Sequence, residues 1–100
     1  MTYALYLDDV RPIPDGYVAA RCSLSAITIM VEKGCPSFIS FDHDLGEQDT
    51  GMVVVNWMIN RDLNKGGTFI PKDFDFAVHS ANPCGAANIE GKLRQYLKVR

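Results

Sequence analysis

Two clusters of acids and two histidines carry most of the chemistry that this sequence could perform. Asp8-Asp9 ends one short apolar run, Asp42-His43-Asp44 ends a second, and His79-Ser80 ends a third. Grouped carboxylates repel one another and raise each other's pKa unless a cation joins them. An oxygen-rich cluster of Asp8, Asp9, Asp42 and Asp44 therefore suits Mg2+, Mn2+ or Ca2+, with Mg2+ or Mn2+ the expected cofactor. His43 and His79 are the only histidines in the chain, and imidazole is the side chain that exchanges protons near neutral pH. Ser80 lacks a GxSxG setting, so contact with phosphate suits it better than a role as nucleophile. Asn82-Pro83-Cys84-Gly85 reads as a capped helix start, whose free N–H groups and positive dipole end attract an anion. Arg11 can add a charge-assisted contact from the first loop. The competing explanation is structural, with Asp9 paired to Arg11 and Asp44 capping a turn.

The elements that must position these groups follow from the apolar pattern. Residues 3–7 (YALYL), 17–22 (YVAARC), 37–41 (SFISF) and 74–78 (FDFAV) read as strands. RPIPDG at 11–16 is a loop. Ser23 is placed to cap a first helix with Leu24, Ile27, Met30 and Val31 on one face, closed by Gly34 and Pro36. Asp49 or Thr50 is placed to cap a second, nearly all-apolar helix over Met52–Ile59 that ends at Asn64–Gly67. After Asn82-Pro83, Ala86, Ile89, Leu93, Tyr96 and Leu97 make the stripe of a third helix.

The order β-β-α-β-α-β-α implies an α/β fold with a mainly parallel sheet covered on both faces. Right-handed crossovers give the strand order 2-1-3-4. In a parallel sheet every strand ends on the same edge. Asp8-Asp9, Asp42-His43-Asp44 and His79-Ser80 are thus expected to meet at one rim, beside the switch point where open α/β sheets bind ligands.

Composition narrows the function classes. The chain has 100 residues, 47% hydrophobic and 22% charged, which are values of one small globular domain spanning 1–100. Residues 1–50 carry eight acids against three bases, and residues 51–100 carry four against seven, for a net charge of -2. That balance argues against a general nucleic-acid binder. No apolar run is long enough to span a bilayer, so a soluble, cytoplasmic protein is expected (in the host cytoplasm, should the source be a virus). Cys22, Cys35 and Cys84 form no CxxC pair, which disfavours a structural zinc site.

LYLDDVRPIP, FISFDHDLG and VHSANPCGAANI together resemble the cyclic-phosphate-processing receiver family, a divergent branch of the receiver domains of two-component signalling. The resemblance runs from Tyr3 to about Leu97 and implies a small receiver-like (flavodoxin-like) three-layer fold with a four-stranded sheet and about three helices. In ordinary receivers an acidic pair after strand one and an aspartate after strand three bind magnesium, the latter also accepting a phosphoryl group, and a Ser or Thr after strand four contacts the phosphate. Asp8 and Asp9, Asp42 and Ser80 match those places. No lysine matches the essential one that follows strand five, and no helix stands between the first two strands. His43 and His79 are additions typical of the divergent branch. The resemblance therefore implies binding or hydrolysis of a cyclic phosphate rather than phosphorelay.

Three functions compete on this reading. The first is a metal-dependent cyclic phosphodiesterase acting on a cyclic nucleotide or a 2′,3′-cyclic phosphate. Asp8, Asp9 and Asp42 hold the ion in it, His43 or His79 serves as acid or base, and Ser80, Asn82 and Gly85 hold phosphate. The second is a module that sequesters a cyclic nucleotide without turnover, of the kind a virus would use against nucleotide signalling. The third is a receiver-like adaptor that binds a protein through its helix faces. A more distant reading takes DHD as the acidic pair of a metal-dependent nuclease, and the lack of a glutamate after strand one and of a basic surface disfavours it.

Overall fold

The structure is a computed structural model and describes residues 2–100. Its elements are β1 (Ala4–Leu7), β2 (Tyr17–Ala20), α1 (Ser23–Lys33), β3 (Phe38–Phe41), α2 (Gly51–Asn64), β4 (Asp75–Val78) and α3 (Pro83–Val99). The four strands form one parallel sheet of order β2-β1-β3-β4. Strand order, strand direction and helix number are those expected from the sequence.

The connections β2→β3 and β3→β4 step across the sheet in the same direction. Right-handed crossovers therefore lay α1 and α2 on one face, and α1 packs on α2 as α2 packs on α3. The core lies between this helical layer and one side of the sheet. Leu5, Leu7, Ile39, Phe41 and Phe76 face Ala26, Met30, Val54, Val55, Met58, Ile89 and Leu93, all buried. The step β1→β2 runs the opposite way, so its connection, residues 8–16, crosses the other face. This segment carries no helix and Ala77 on that side is exposed, so helices cover one face of the sheet and not both.

Strand alternation sorts the remaining strand residues onto the face away from the helices. Tyr6, Ser40 and Ala77 lie there in one register row, and the next residue of each strand belongs to the core row Leu7, Phe41 and Val78.

Two local readings are corrected. In α1, Ala26 and Met30 are buried, whereas Leu24 is 71% and Val31 56% exposed. Ala26 lets α1 sit close to β1 and β2, and that contact sets its rotation. Capping also differs. Cys22, not Ser23, is the N-cap residue of α1, and the Ser23 amide donates to Asp49 Oδ2 at 2.7 Å. Asp49 thus serves α1 from a distant loop, placing a negative charge at a helix N-terminus, while Thr50 is the N-cap residue of α2 without a side-chain bond. For α3 the expected cap is present, with Asn82 Oδ1 accepting from the Gly85 amide at 3.0 Å.

Candidate functional site

The residues that follow the core row are Asp8, Asp42 and His79. The parallel ladder continues one step beyond the strands: the Asp8, Asp42 and His79 amides donate to the carbonyls of Ala20, Leu7 and Phe41. The three residues therefore stay in register at the sheet's C-terminal edge. Alternation turns them to the face opposite the helices, directly past Tyr6, Ser40 and Ala77. One ligand atom from each of Asp8, Asp42 and His79 lies within 4.8 Å of the others.

Side-chain contacts fix this row. The His79 ring reaches across β3, with Nδ1 2.7 Å from Ser40 Oγ and Nε2 2.9 Å from Asp8 Oδ2. It stacks on the Tyr6 ring at 4.4 Å between centroids. Asp8, 0% exposed, accepts from the Val10 and Arg11 amides through Oδ1 at 2.9 and 2.8 Å. Burial pushes the Asp8 carboxyl up, but the Arg11 and Val10 amides and His79 outweigh it and hold the pKa below the usual carboxylate range. The Arg11 Nε is 3.7 Å from Asp8 Oδ2, and its Nη1 donates to the His79 carbonyl at 2.6 Å. Arg11 thus supports the row rather than pairing with Asp9. Arg21 holds the same loop by donating to the Arg11 and Asp8 carbonyls. Asp42 is nearly buried. Among the described residues no group donates a hydrogen bond to its carboxylate, so its oxygens are left to solvent or a ligand.

Asp9 and Asp44 lie outside this row. A Cβ on Gly46, at φ +83°, would stand 3.2 Å from Asp9 Oδ2, so Asp9 faces the loop between β3 and α2. Asp44 belongs to a second group with His43 and Asn82. His43 Nδ1 is 2.7 Å from Asp44 Oδ1, and Asn82 Nδ2 is 3.4 Å from both Asp44 oxygens. The His43 hydrogen bond, aided by Asn82, holds the Asp44 carboxyl below its ordinary pKa. Gly85 has a different use from the one expected. A Cβ there would collide with the His43 ring, so the missing side chain makes room for His43 and not for a ligand. Ser80 Oγ accepts from the Asn82 amide at 3.1 Å, and its hydroxyl proton remains available to donate.

The row offers a metal ion two carboxylate oxygens and one imidazole nitrogen. The sequence reading missed Ser40 and Tyr6. Ser40 left a signal, since it is the one polar residue between Phe38 and Phe41 in an otherwise apolar strand. A family model described as the cyclic-phosphate processing receiver domain matches residues 3–95. The chain belongs to this family. No curated protein and no solved structure matches it. Family membership agrees with the parallel sheet of order 2-1-3-4 and with acids at the ends of β1 and β3. Among the described residues, no helix of this receiver domain is long and apolar enough to cross a membrane.

Proposed function

We propose that this receiver domain binds a cyclic phosphate at the C-terminal edge of its sheet and hydrolyses it to a linear phosphate with the help of a divalent cation. The ligand class is a cyclic nucleotide or a 2′,3′-cyclic phosphate. The observation that carries the reading is the row Asp8–Asp42–His79, with ligand atoms within 4.8 Å of one another in a family named for cyclic-phosphate processing.

The donor set fits Mg2+ or Mn2+. Two neighbouring carboxylates face one another with one guanidinium nitrogen at 3.7 Å from Asp8, and Asp42 has no protein donor to offset its charge. Asp8 and Asp42 would hold the ion, joined by His79 on release of the Nε2 proton it shares with Asp8, and the ion when bound would neutralise charge on the phosphate oxygens. Because the Asp8 carboxylate only accepts, neutral His79 carries its proton on Nε2, and the Ser40 hydroxyl donates to Nδ1. Arg11, Ser80 and Asn82 with the first turn of α3 flank the row with positive charge and donors for phosphate oxygens.

The two histidines divide the remaining work. Both ring nitrogens of His79 are engaged, by Asp8 and Ser40. His43 Nε2 has no hydrogen-bond partner among the described residues and is not sealed from solvent. His43 Nε2 is therefore the atom to take a proton from the attacking water. As the water oxygen bonds to phosphorus, one ring P–O bond breaks, the leaving oxygen takes a proton from solvent to give an open monoester, and His43 returns its proton to solvent.

The test is chromatographic. The protein is mixed with 2′,3′-cyclic mononucleotides, 3′,5′-cyclic mononucleotides and cyclic oligonucleotides, with and without Mg2+ or Mn2+. A linear product from one class, lost in Asp42→Asn and reduced in His43→Ala, is expected. Full recovery of intact ligand from a tight complex would replace hydrolysis by sequestration. No loss and no change of any ligand would favour the adaptor reading.

A further inference from the structure

We infer that Asp44 is a positioning residue that sets the tautomer of His43 and leaves Nε2 as its proton-accepting atom, and that Asp44 is not a ligand of the cation. The inference rests on the proposed hydrolysis for its kinetic consequence but not for its geometry.

Asp44 is 65% exposed at its side chain, a setting in which a carboxylate normally moves freely. Here it is held from three directions. Its backbone is pinned by an antiparallel bridge to Thr50. Its Oδ1 lies 2.7 Å from His43 Nδ1, and both oxygens lie 3.4 Å from Asn82 Nδ2. Asn82 is itself fixed, because its Oδ1 caps α3 through the Gly85 amide.

His43 is held as firmly. Its carbonyl accepts from the Gly51 amide at 2.8 Å, and the Cγ, Nδ1 and Cδ2 side of its ring rests on Gly85, where a Cβ would not fit. A carboxylate only accepts hydrogen bonds, so a neutral His43 must carry its proton on Nδ1. Nε2 then presents a lone pair, and it is the one imidazole nitrogen in the described structure without a protein partner. The arrangement is an acid–imidazole pair in which the acid orients the base and the base does the proton transfer. Asp44 is absent from the group formed by Asp8, Asp42 and His79, so its anchor is the imidazole and not the metal row.

The experiment compares the wild-type protein with Asp44→Ala and Asp44→Glu. Long-range 1H–15N spectra of the imidazoles are recorded on the metal-free protein, Mn2+ affinity is measured by titration, and kcat and KM are measured on the cyclic phosphate that is turned over. The wild-type protein should show His43 protonated on Nδ1, and Asp44→Ala should show a mixture of tautomers. In that variant kcat should fall roughly 10²-fold, within the range of general acid–base catalysis, with KM and Mn2+ affinity changed less than about twofold. Asp44→Glu should recover part of both losses, because it restores the carboxylate. The inference is overturned if wild-type His43 carries its proton on Nε2, if Asp44→Ala leaves the tautomer or kcat unchanged, or if it costs more than tenfold in Mn2+ affinity. If the wild-type protein opens no cyclic phosphate, the proposed hydrolysis falls. The spectra then decide alone: a tautomer shift in Asp44→Ala supports the positioning role, and its absence removes it.

Discussion

Two aspartates of this chain are 0% exposed, Asp8 at the C-terminal edge of the sheet and Asp62 near the end of α2 at the opposite edge. Their surroundings differ in one decisive way. Asp62 is closed off: it accepts from the Ile70 amide at 2.8 Å, the Tyr96 hydroxyl at 2.6 Å and the Arg100 guanidinium at 3.1 Å. Arg100 also donates to the Ile70 and Pro71 carbonyls, so this network joins α2, the loop before β4 and the end of α3 with its charge balanced. Burial alone pushes the Asp62 carboxyl up, yet Ile70, Tyr96 and Arg100 win and its pKa lies below the ordinary range. Asp8 is also well bonded, but its neighbour Asp42 is a second carboxylate with no donor. One buried acid belongs to a finished ion pair, and the other to an excess of negative charge. The first ties three elements of the fold together, and the second is where the proposed cation would offset charge.

Substituting each acid should separate the two regions. Asp62→Asn leaves the Arg100 guanidinium, 18% exposed at its side chain, without its anion. Breaking a buried pair in this way costs about 3–5 kcal/mol, measured by urea unfolding, and cation affinity should not change. Asp42→Asn should do the reverse. Mn2+ affinity should drop at least about 100-fold, since losing even an outer partner of a metal ligand costs 10- to 100-fold. Metal-free stability should stay level or rise, because one of two adjacent like charges is gone. If Asp42→Asn destabilises the metal-free chain as much as Asp62→Asn does, the row is structural.

Acid sharpens the same contrast. Both Asp8 and Asp62 are held below their ordinary pKa in the folded chain, so the unfolded chain takes up their protons first as pH falls. Their stabilising effect is complete above the unfolded carboxyl value of about 4 and is lost as pH falls through the folded values. The urea midpoint should be flat from about pH 5 to 7 and decline below about pH 4. In Asp62→Asn that decline should be shallower, because one of the contributing carboxylates has been removed. An unchanged slope would mean that Asp62 is not ionised in the folded chain.

Much of the sheet's C-terminal edge was legible because strand ends are punctuated by polar residues. YALYL before Asp8 and SFISF before Asp42 needed only hydrophobic contrast to be read, and the parallel order then brought Asp8, Asp42 and His79 together. The division of the edge was not legible. Asp9, Asp44 and Gly85 were expected to share the ion or the phosphate, but strand geometry ends at Leu7 and Phe41, and beyond the first rim residue the chain turns Asp9 toward Gly46 and Asp44 toward His43 and Asn82. A cluster such as Asp42-His43-Asp44 is therefore split between two groups. The buried side of α1 was hidden for another reason: Leu24, Ala26, Ile27, Ile29, Met30 and Val31 are all apolar, so periodicity alone selects no face. The Asp62 network was invisible because Tyr96 and Arg100 lie 34 and 38 residues away in the chain, and no local pattern joins them.

Ser40 tests how far the open edge depends on the row behind it. Its hydroxyl lies 2.7 Å from His79 Nδ1, and it is buried beneath a ring that also stacks on Tyr6. Without the hydroxyl the stack still holds the plane of the imidazole and Asp8 still holds the proton on Nε2, but Nδ1 loses its only donor. Ser40→Ala should therefore lower Mn2+ affinity by about tenfold, the lower end of what losing a ligand's outer partner costs, and lower stability by about 1 kcal/mol. Tyr6→Leu removes the stack and keeps the hydrogen bond, so it should move the ring without changing its tautomer. If Ser40→Ala binds Mn2+ as tightly as the wild-type protein does, His79 is not a ligand, and the ion would rest on Asp8 and Asp42 alone.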